Sequence, residues 1–284
     1  MHWLPLLKHL PLLLLGCLPL LARAAPESSV YRFERLQVDS PDGSLHYRLD
    51  LAIPRKAPPA AGYPAMYLLD GNNALAELKE DWLKELDGGN PPLLVMIGYE
   101  MDGLYDMQQR TRDYTGASSA AFLDLIQTGI KPLVQSRFPV DQSRQSLWGH
   151  SFGGLFVLYA LLEQPLAFNN WFAASASLWY QPPTYDKAMA FAGIKDQPVR
   201  QVLIMRGSKE GKLPIKSFDW GSMERRKAME AVPIEANREV ARHLSEVPGI
   251  QARYRAFEGL NHSEVFAAAL HPSLRLAAGL AADH

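Results

Sequence analysis

Cysteine is nearly missing: Cys17 stands alone among 284 residues. A single thiol excludes an internal disulfide. Nor do His, Cys and carboxylates group at metal-ligand spacing, so no protein metal site and no cofactor are expected. Charge of one sign is also lacking, with 29 Lys and Arg against 30 Asp and Glu. That balance gives no broad basic surface for nucleic acid, and any anion binding must come from local clusters. There is no internal repeat and no long linker. The one extended apolar run, LPLLLLGCLPLLA, is too short and too broken by proline to span a bilayer as a helix.

The remaining composition, 48% hydrophobic and 21% charged, is that of an ordinary globular protein. The apolar run lies between His2, Lys8, His9 and Ala22-Arg23-Ala24. A basic start, a short greasy segment and small residues at a cleavage point form the layout of a secretory signal. Cleavage is expected after Ala24, which makes residues 1–24 a leader and 25–284 one domain without cysteine. Losing Lys8 and Arg23 leaves 27 basic against 30 acidic residues, a net charge of −3. A chain of this size buries enough core to fold without disulfides. A second reading is lipidation, because Leu14-Leu15-Gly16-Cys17 resembles a lipoprotein cleavage box. Leu15 fits the middle of that box poorly, and the residues after Cys17 stay apolar.

Beyond the leader, VYRFERLQV and LHYRLDLAI alternate apolar and polar residues around Ser40-Pro41-Asp42-Gly43, which predicts a β-hairpin. AMYLL, PPLLVMIGY, RQSLW, NWFAASA and RQVLIMR are short apolar runs suited to strands covered on both faces. QARYRAF is more polar and belongs nearer an edge. Helical patterns fall between them. In AAFLDLIQTGIKPLVQSRF, Phe122, Leu125, Ile126, Ile130, Leu133 and Val134 share one face. NREVARHLSEV and SEVFAAALHPSLRLAAGL are further candidates, with His271-Pro272 expected to kink or end the last. The segment 208–237 is long for a strand–helix connection and reads as a functional or mobile loop. The fold class is α/β: a mostly parallel central sheet, an antiparallel N-terminal hairpin, and helices on both faces.

Gly149-His150-Ser151-Phe152-Gly153 fits G-x-S-x-G, placed after RQSLW and before an apolar helical run. That is the setting of a nucleophile elbow, where a sharp turn lifts the serine hydroxyl above the sheet and glycines clear the space. The Phe152 N–H, opening the helix, is a candidate oxyanion donor. A serine nucleophile needs a base, and in this arrangement the chain order is Ser, acid, His. Beyond Ser151 lie His243, His262, His271 and His284. His243 sits in a helical pattern, His271 precedes a proline in a late helix, and His284 ends the chain. His262, in a loop after the last strand, has the right place. For the acid, Glu210 follows RQVLIMR. Asp219 is close behind, Glu258 and Glu264 flank His262, and a Ser–His dyad with no acid stays open. The second oxyanion donor belongs in Asp70-Gly71-Asn72-Asn73 after AMYLL, and the Asn72 N–H is the candidate.

YLLDGN, MIGYE with RTRDYTGA, GHSFGG, SASLWY and EGLNHSEVF follow one another as in the esterase-D-like branch of the α/β hydrolases. Within that branch the chain resembles the periplasmic siderophore esterases that hydrolyse the enterobactin trilactone, from about Val30 onward. The resemblance implies an α/β-hydrolase fold, a periplasmic location, and ester hydrolysis of ferric enterobactin or a related catecholate, with iron arriving only as part of the substrate. It matches Ser151 to the nucleophile, His262 to the base, and Asn72 and Phe152 to the oxyanion positions. It also implies an arginine ahead of Asp-Tyr-Thr in substrate binding, with Arg110 and Arg112 as candidates. Gly116 and Ala176 stand where the group usually has proline, which weakens the substrate expectation.

A tris-catecholate is anionic and aromatic, so its site should offer cations and exposed rings. Arg110, Arg112, Lys209, Lys212, Lys216, Trp179 and Trp220 are expected in loops around the elbow. Two other functions remain at this point. One is another carboxylester or thioester hydrolase, such as a feruloyl or acetyl esterase. The other is a siderophore-binding protein without turnover.

Overall fold

The computed structural model describes residues 27–211 and 222–282. The expected leader with Cys17 lies outside them, as do Lys212, Lys216, Asp219, Trp220 and His284. The strands are β1 Tyr31–Asp39, β2 His46–Pro54, β3 Tyr63–Leu68, β4 Leu93–Tyr99, β5 Val140–His150, β6 Asn170–Ala174, β7 Arg200–Gly207 and β8 Ile250–Phe257. They form one sheet in the order β1-β2-β4-β3-β5-β6-β7-β8. The pairs β1/β2 and β2/β4 run antiparallel, and every later pair is parallel. This is the α/β-hydrolase fold. The patterning accounts for the order: β1 alternates and lies at the margin, while β3 and β4 are buried along their whole length.

The helices are α1 Gly71–Glu77, α2 Glu80–Asp87, α3 Met107–Tyr114, α4 Ser119–Leu125, α5 Lys131–Arg137, α6 Phe152–Glu163, α7 Pro182–Ala190, α8 Met223–Ala231, α9 Ala236–Glu246 and α10 Val265–Ala277. They divide between two cores, one on each face of the sheet. One packs Tyr114, Phe156, Trp171 and Val240, the other Leu83, Trp148, Phe266 and Leu270. The two-residue period of β5 sends Leu147 to the first core and Trp148 to the second.

Three local expectations are corrected. The stretch expected as one helix is α4 and α5 joined by a π-turn over Ile126–Ile130. Phe122, Leu125, Ile126, Ile130 and Val134 are still buried together, with Leu133 only partly covered. Helix α10 does not end at His271-Pro272 but continues through it to Ala277. Its apolar face is packed on the sheet, and that burial outweighs the one hydrogen bond proline cannot make. Arg110 and Arg112, expected in a loop, lie on α3, whose start is capped by Asp106 accepting from the Gln109 amide at 2.9 Å.

The loops after β3, β5, β7 and β8 all leave the sheet at the carboxyl ends of parallel strands, where such sheets open a crevice.

Candidate active site

Strand β5 ends at His150 and α6 starts at Phe152, which leaves Ser151 alone at the turn with φ 61° and ψ −115°. A residue with a side chain takes a positive φ only under local constraint. Here the constraint is hydrogen bonding: the Ser151 amide donates to Ala174 O at 2.9 Å, and its carbonyl accepts from the Leu155 and Ser177 amides. Gly149 is required by the same turn. A Cβ there would lie 2.4 Å from the carbonyl carbon and oxygen of Gly153.

The turn brings the Ser151 hydroxyl to His262 Nε2 at 3.0 Å. On the other edge of the ring, His262 Nδ1 donates to Glu210 Oε2 at 2.9 Å. Glu210 Oε1 accepts from the Ser175 hydroxyl at 2.6 Å and the Gly207 amide at 2.7 Å. Burial pushes the Glu210 carboxyl up, but the hydrogen bonds from His262, Ser175 and Gly207 outweigh it and hold it below its ordinary value. An anion on Nδ1–H fixes the tautomer that leaves Nε2 free to take a proton from serine. The Ser177 hydroxyl lies 3.3 Å from Ser151 Oγ.

His150 supports this arrangement from behind. Its Nε2–H donates to the His262 carbonyl at 2.9 Å. Burial, then the neighbouring His262, lowers its pKa to about 3, so it stays neutral. At the other side of the elbow, Asn72 lies in the first turn of α1, where amides have no partner within the helix. Its side chain is tied down: Oδ1 accepts from the Tyr99 amide at 2.9 Å and Nδ2 donates to Gly103 O at 2.9 Å. A cavity of about 340 Å³ adjoins Glu210 and His262. Leu178, Trp179 and Ile234 form an apolar wall, with Arg206, Lys209 and Asn261 along a polar one.

The sequence profile of the esterase family matches residues 45–277. The chain belongs to the esterase family. An apo-salmochelin esterase of Escherichia coli is 37% identical over 179 residues, 56% of each chain. A ferri-bacillibactin esterase of Bacillus subtilis is 29% identical over 259 residues, 81% of this chain and 84% of that one. The chain thus spans just over half the length of the first of these relatives and most of the second. Among solved structures, the enterobactin and salmochelin hydrolase IroE superposes with a TM-score of 0.71 at 30% identity, covering 89% of this chain and 97% of that one. The same hydrolase in complex with DFP gives a TM-score of 0.70 at 29% identity.

In this member of the esterase family the sequence-predicted Ser151, His262 and Glu210 come together, with Phe152 opening α6 beside them. Trp179 lines the cavity. Arg110 is only 5% exposed, and its guanidinium grips Asp70 at 2.6 and 2.9 Å. Arg112 pairs with its neighbour Asp113 at 3.1 Å instead of facing the cavity. Lys212 is outside the described residues. His243 bonds Phe191 O and His271 bonds Glu85, both away from Ser151. Sequence reasoning missed His150 and Ser175. Both sit inside quoted motifs, GHSFGG and SASLWY, but their partners are 112 and 35 residues away. Among the described residues no cluster of three His, Cys or carboxylate side chains suits a metal ion, and no helix is long and apolar enough to cross a membrane.

Proposed function

We propose that this chain is a serine esterase that hydrolyses the ester bonds of a catecholate siderophore, a ferric enterobactin-like trilactone, and so helps release iron. The observation that carries the reading is His262 held between Ser151 at 3.0 Å and Glu210 at 2.9 Å. Relatives named as salmochelin and bacillibactin esterases support the substrate class. The IroE structure with DFP, a reagent for serine hydrolases, supports the serine chemistry.

The steps follow from the contacts. Ser151 Oγ attacks the ester carbonyl while His262 Nε2 accepts its proton. Glu210 stabilises the imidazolium through Nδ1–H. Negative charge on the carbonyl oxygen is met by the Phe152 and Asn72 amides, both at helix starts where the dipole favours an anion. His262 then returns the proton to the leaving alcohol, and water releases the acyl group by the same route. The protein needs no cofactor, and iron enters within the substrate. Trp179 and Lys209, at the cavity wall, offer a ring and a cation to the anionic aromatic substrate. The mature protein acts in the periplasm once residues 1–24 are removed.

Mass spectrometry of the products from ferric enterobactin, beside feruloyl, acetyl and thioester substrates, tests this reading. Ser151→Ala should lower turnover by up to on the order of 10⁶-fold while retaining siderophore binding. Hydrolysis that persists in the variant removes Ser151 from the mechanism. A higher kcat/KM on the simple esters than on the trilactone removes the substrate class.

A further inference from the structure

The turn that follows β6, Ser175-Ala176-Ser177, offers a hydroxyl to each end of the reacting group. Ser175, at φ 47°, donates to Glu210 Oε1 at 2.6 Å. Ser177, two residues on, holds its hydroxyl 3.3 Å from Ser151 Oγ. It is 2% exposed and its backbone is fixed on both sides. The Ser177 amide donates to the Ser151 carbonyl at 3.1 Å, and the Ser177 carbonyl accepts from the Tyr180 amide at 2.9 Å. Between the two serines, the Ala176 carbonyl accepts from Asn237 Nδ2 at 3.0 Å. The direction of the serine–serine contact follows from the protons. Glu210 keeps one on His262 Nδ1, so Nε2 is an acceptor and draws the single Ser151 hydroxyl proton. The Ser177 hydroxyl is then the donor and Ser151 Oγ the acceptor. The contact is long for such a bond, as contacts to a reacting atom often are until substrate is bound.

We propose that Ser177 is a further catalytic residue, whose hydroxyl donates to Ser151 Oγ as that oxygen leaves the acyl group. The inference rests on the esterase reading. In the free enzyme Oγ is an alcohol oxygen and already a fair acceptor, so the bond changes little as Oγ attacks. In the acyl-enzyme Oγ is the alkyl oxygen of an ester, a poor acceptor. Water adds to the acyl carbonyl while His262 Nε2 takes its proton. The bond from carbon to Oγ then breaks, its electron pair passes to Oγ, and Nε2 returns the proton there. Ser177 keeps its own proton throughout, and its hydrogen bond strengthens as charge gathers on the departing oxygen. A contact stronger in the transition state than in the ground state speeds that step.

The test compares Ser177→Ala and Ser175→Ala with the wild type on p-nitrophenyl butyrate and on ferric enterobactin, from initial rates. Acid quenching at saturating substrate, followed by intact-protein mass spectrometry, gives the fraction of enzyme acylated. Dividing kcat by that fraction gives the deacylation rate constant, while kcat/KM reports acylation. Ser177→Ala should slow deacylation by on the order of tenfold on both esters, with kcat/KM within about threefold. Ser175→Ala loosens Glu210, which serves the imidazolium of both steps, and should lower both quantities together. An equal fall of both in Ser177→Ala makes Ser177 only a prop for the turn and overturns the proposal, as does unchanged deacylation. If Ser177→Ala shows no cooperative melt, Ser177→Cys, similar in size with a weak donor, decides by the same two quantities. Ser151→Ala is run beside them. Turnover in that variant would defeat the esterase reading itself, whatever the Ser177 variants do.

Discussion

Glu210 carries its charge with only 6% of its side chain exposed, against an imidazole, a hydroxyl and an amide that all donate to it. Glu210→Gln keeps the shape and removes the anion, so kcat should fall by on the order of 10⁴-fold as His262 loses its tautomer control. The same change has a stability signature. The folded-state pKa of Glu210 is below its unfolded value. Its stabilisation is therefore fully present above about pH 4.3, the unfolded value, and is lost as pH falls through the lower folded one. Calorimetry should show a steady Tm gap between the wild type and Glu210→Gln above about pH 5. The gap should narrow in stronger acid, and one that stays constant down to the acid limit would deny Glu210 its charge. At this scale legibility was uneven. Ser151 and His262 were readable because a short motif and a chain order mark them. Glu210 could not be separated from its rivals, because its selection depends on Ser175 and the Gly207 amide, donors gathered only when β6 and β7 lie side by side. Glu264, one rival, instead caps the Asn261 amide at 2.8 Å. The pairing of Arg110 with Asp70 was not readable, because nothing near Arg110 in sequence announces a partner 40 residues earlier.

Elements were readable where periodicity was strong. All eight apolar or alternating runs became strands, since the sheet demands cover on both faces at its centre and on one face at its hairpin. Helix α3 was not readable: MQQRTRDY is polar, and it is seated by Arg110, Asp113 and Tyr114, each buried by contacts distant in sequence. Gly116 stands where the group usually has proline, and the backbone there excludes that proline. Gly116 joins α3 to the next turn with φ 76° and nothing within 4 Å of where a Cβ would be. Proline cannot adopt that φ. Gly116→Ala should cost about 1 kcal/mol for the left-handed backbone, whereas Gly116→Pro should cost several-fold more or rebuild the connection. Urea unfolding distinguishes them, and equal midpoints for the two would contradict the geometry. Gly149→Ala, with its Cβ driven into Gly153, belongs with the severe case.

At the scale of the whole molecule, the reacting groups hang from strands of unequal security. Ser151 follows β5, which is flanked by β3 and β6 in the middle of the sheet. His262 follows β8, the last strand in the order, whose described partner in the sheet is β7 alone. Marginal segments open at lower free energy than central ones. Warming or mild urea should therefore peel the base away from the nucleophile while the centre stays intact. Amide exchange along Ile250–Phe257 should outpace exchange along β5, and the midpoint for inactivation should precede the midpoint for loss of helical circular dichroism. Coincident midpoints would mean the rim is as firm as the middle. Otherwise the protein carries its own fuse: chemistry switches off first, and on cooling it returns by re-zipping a single strand.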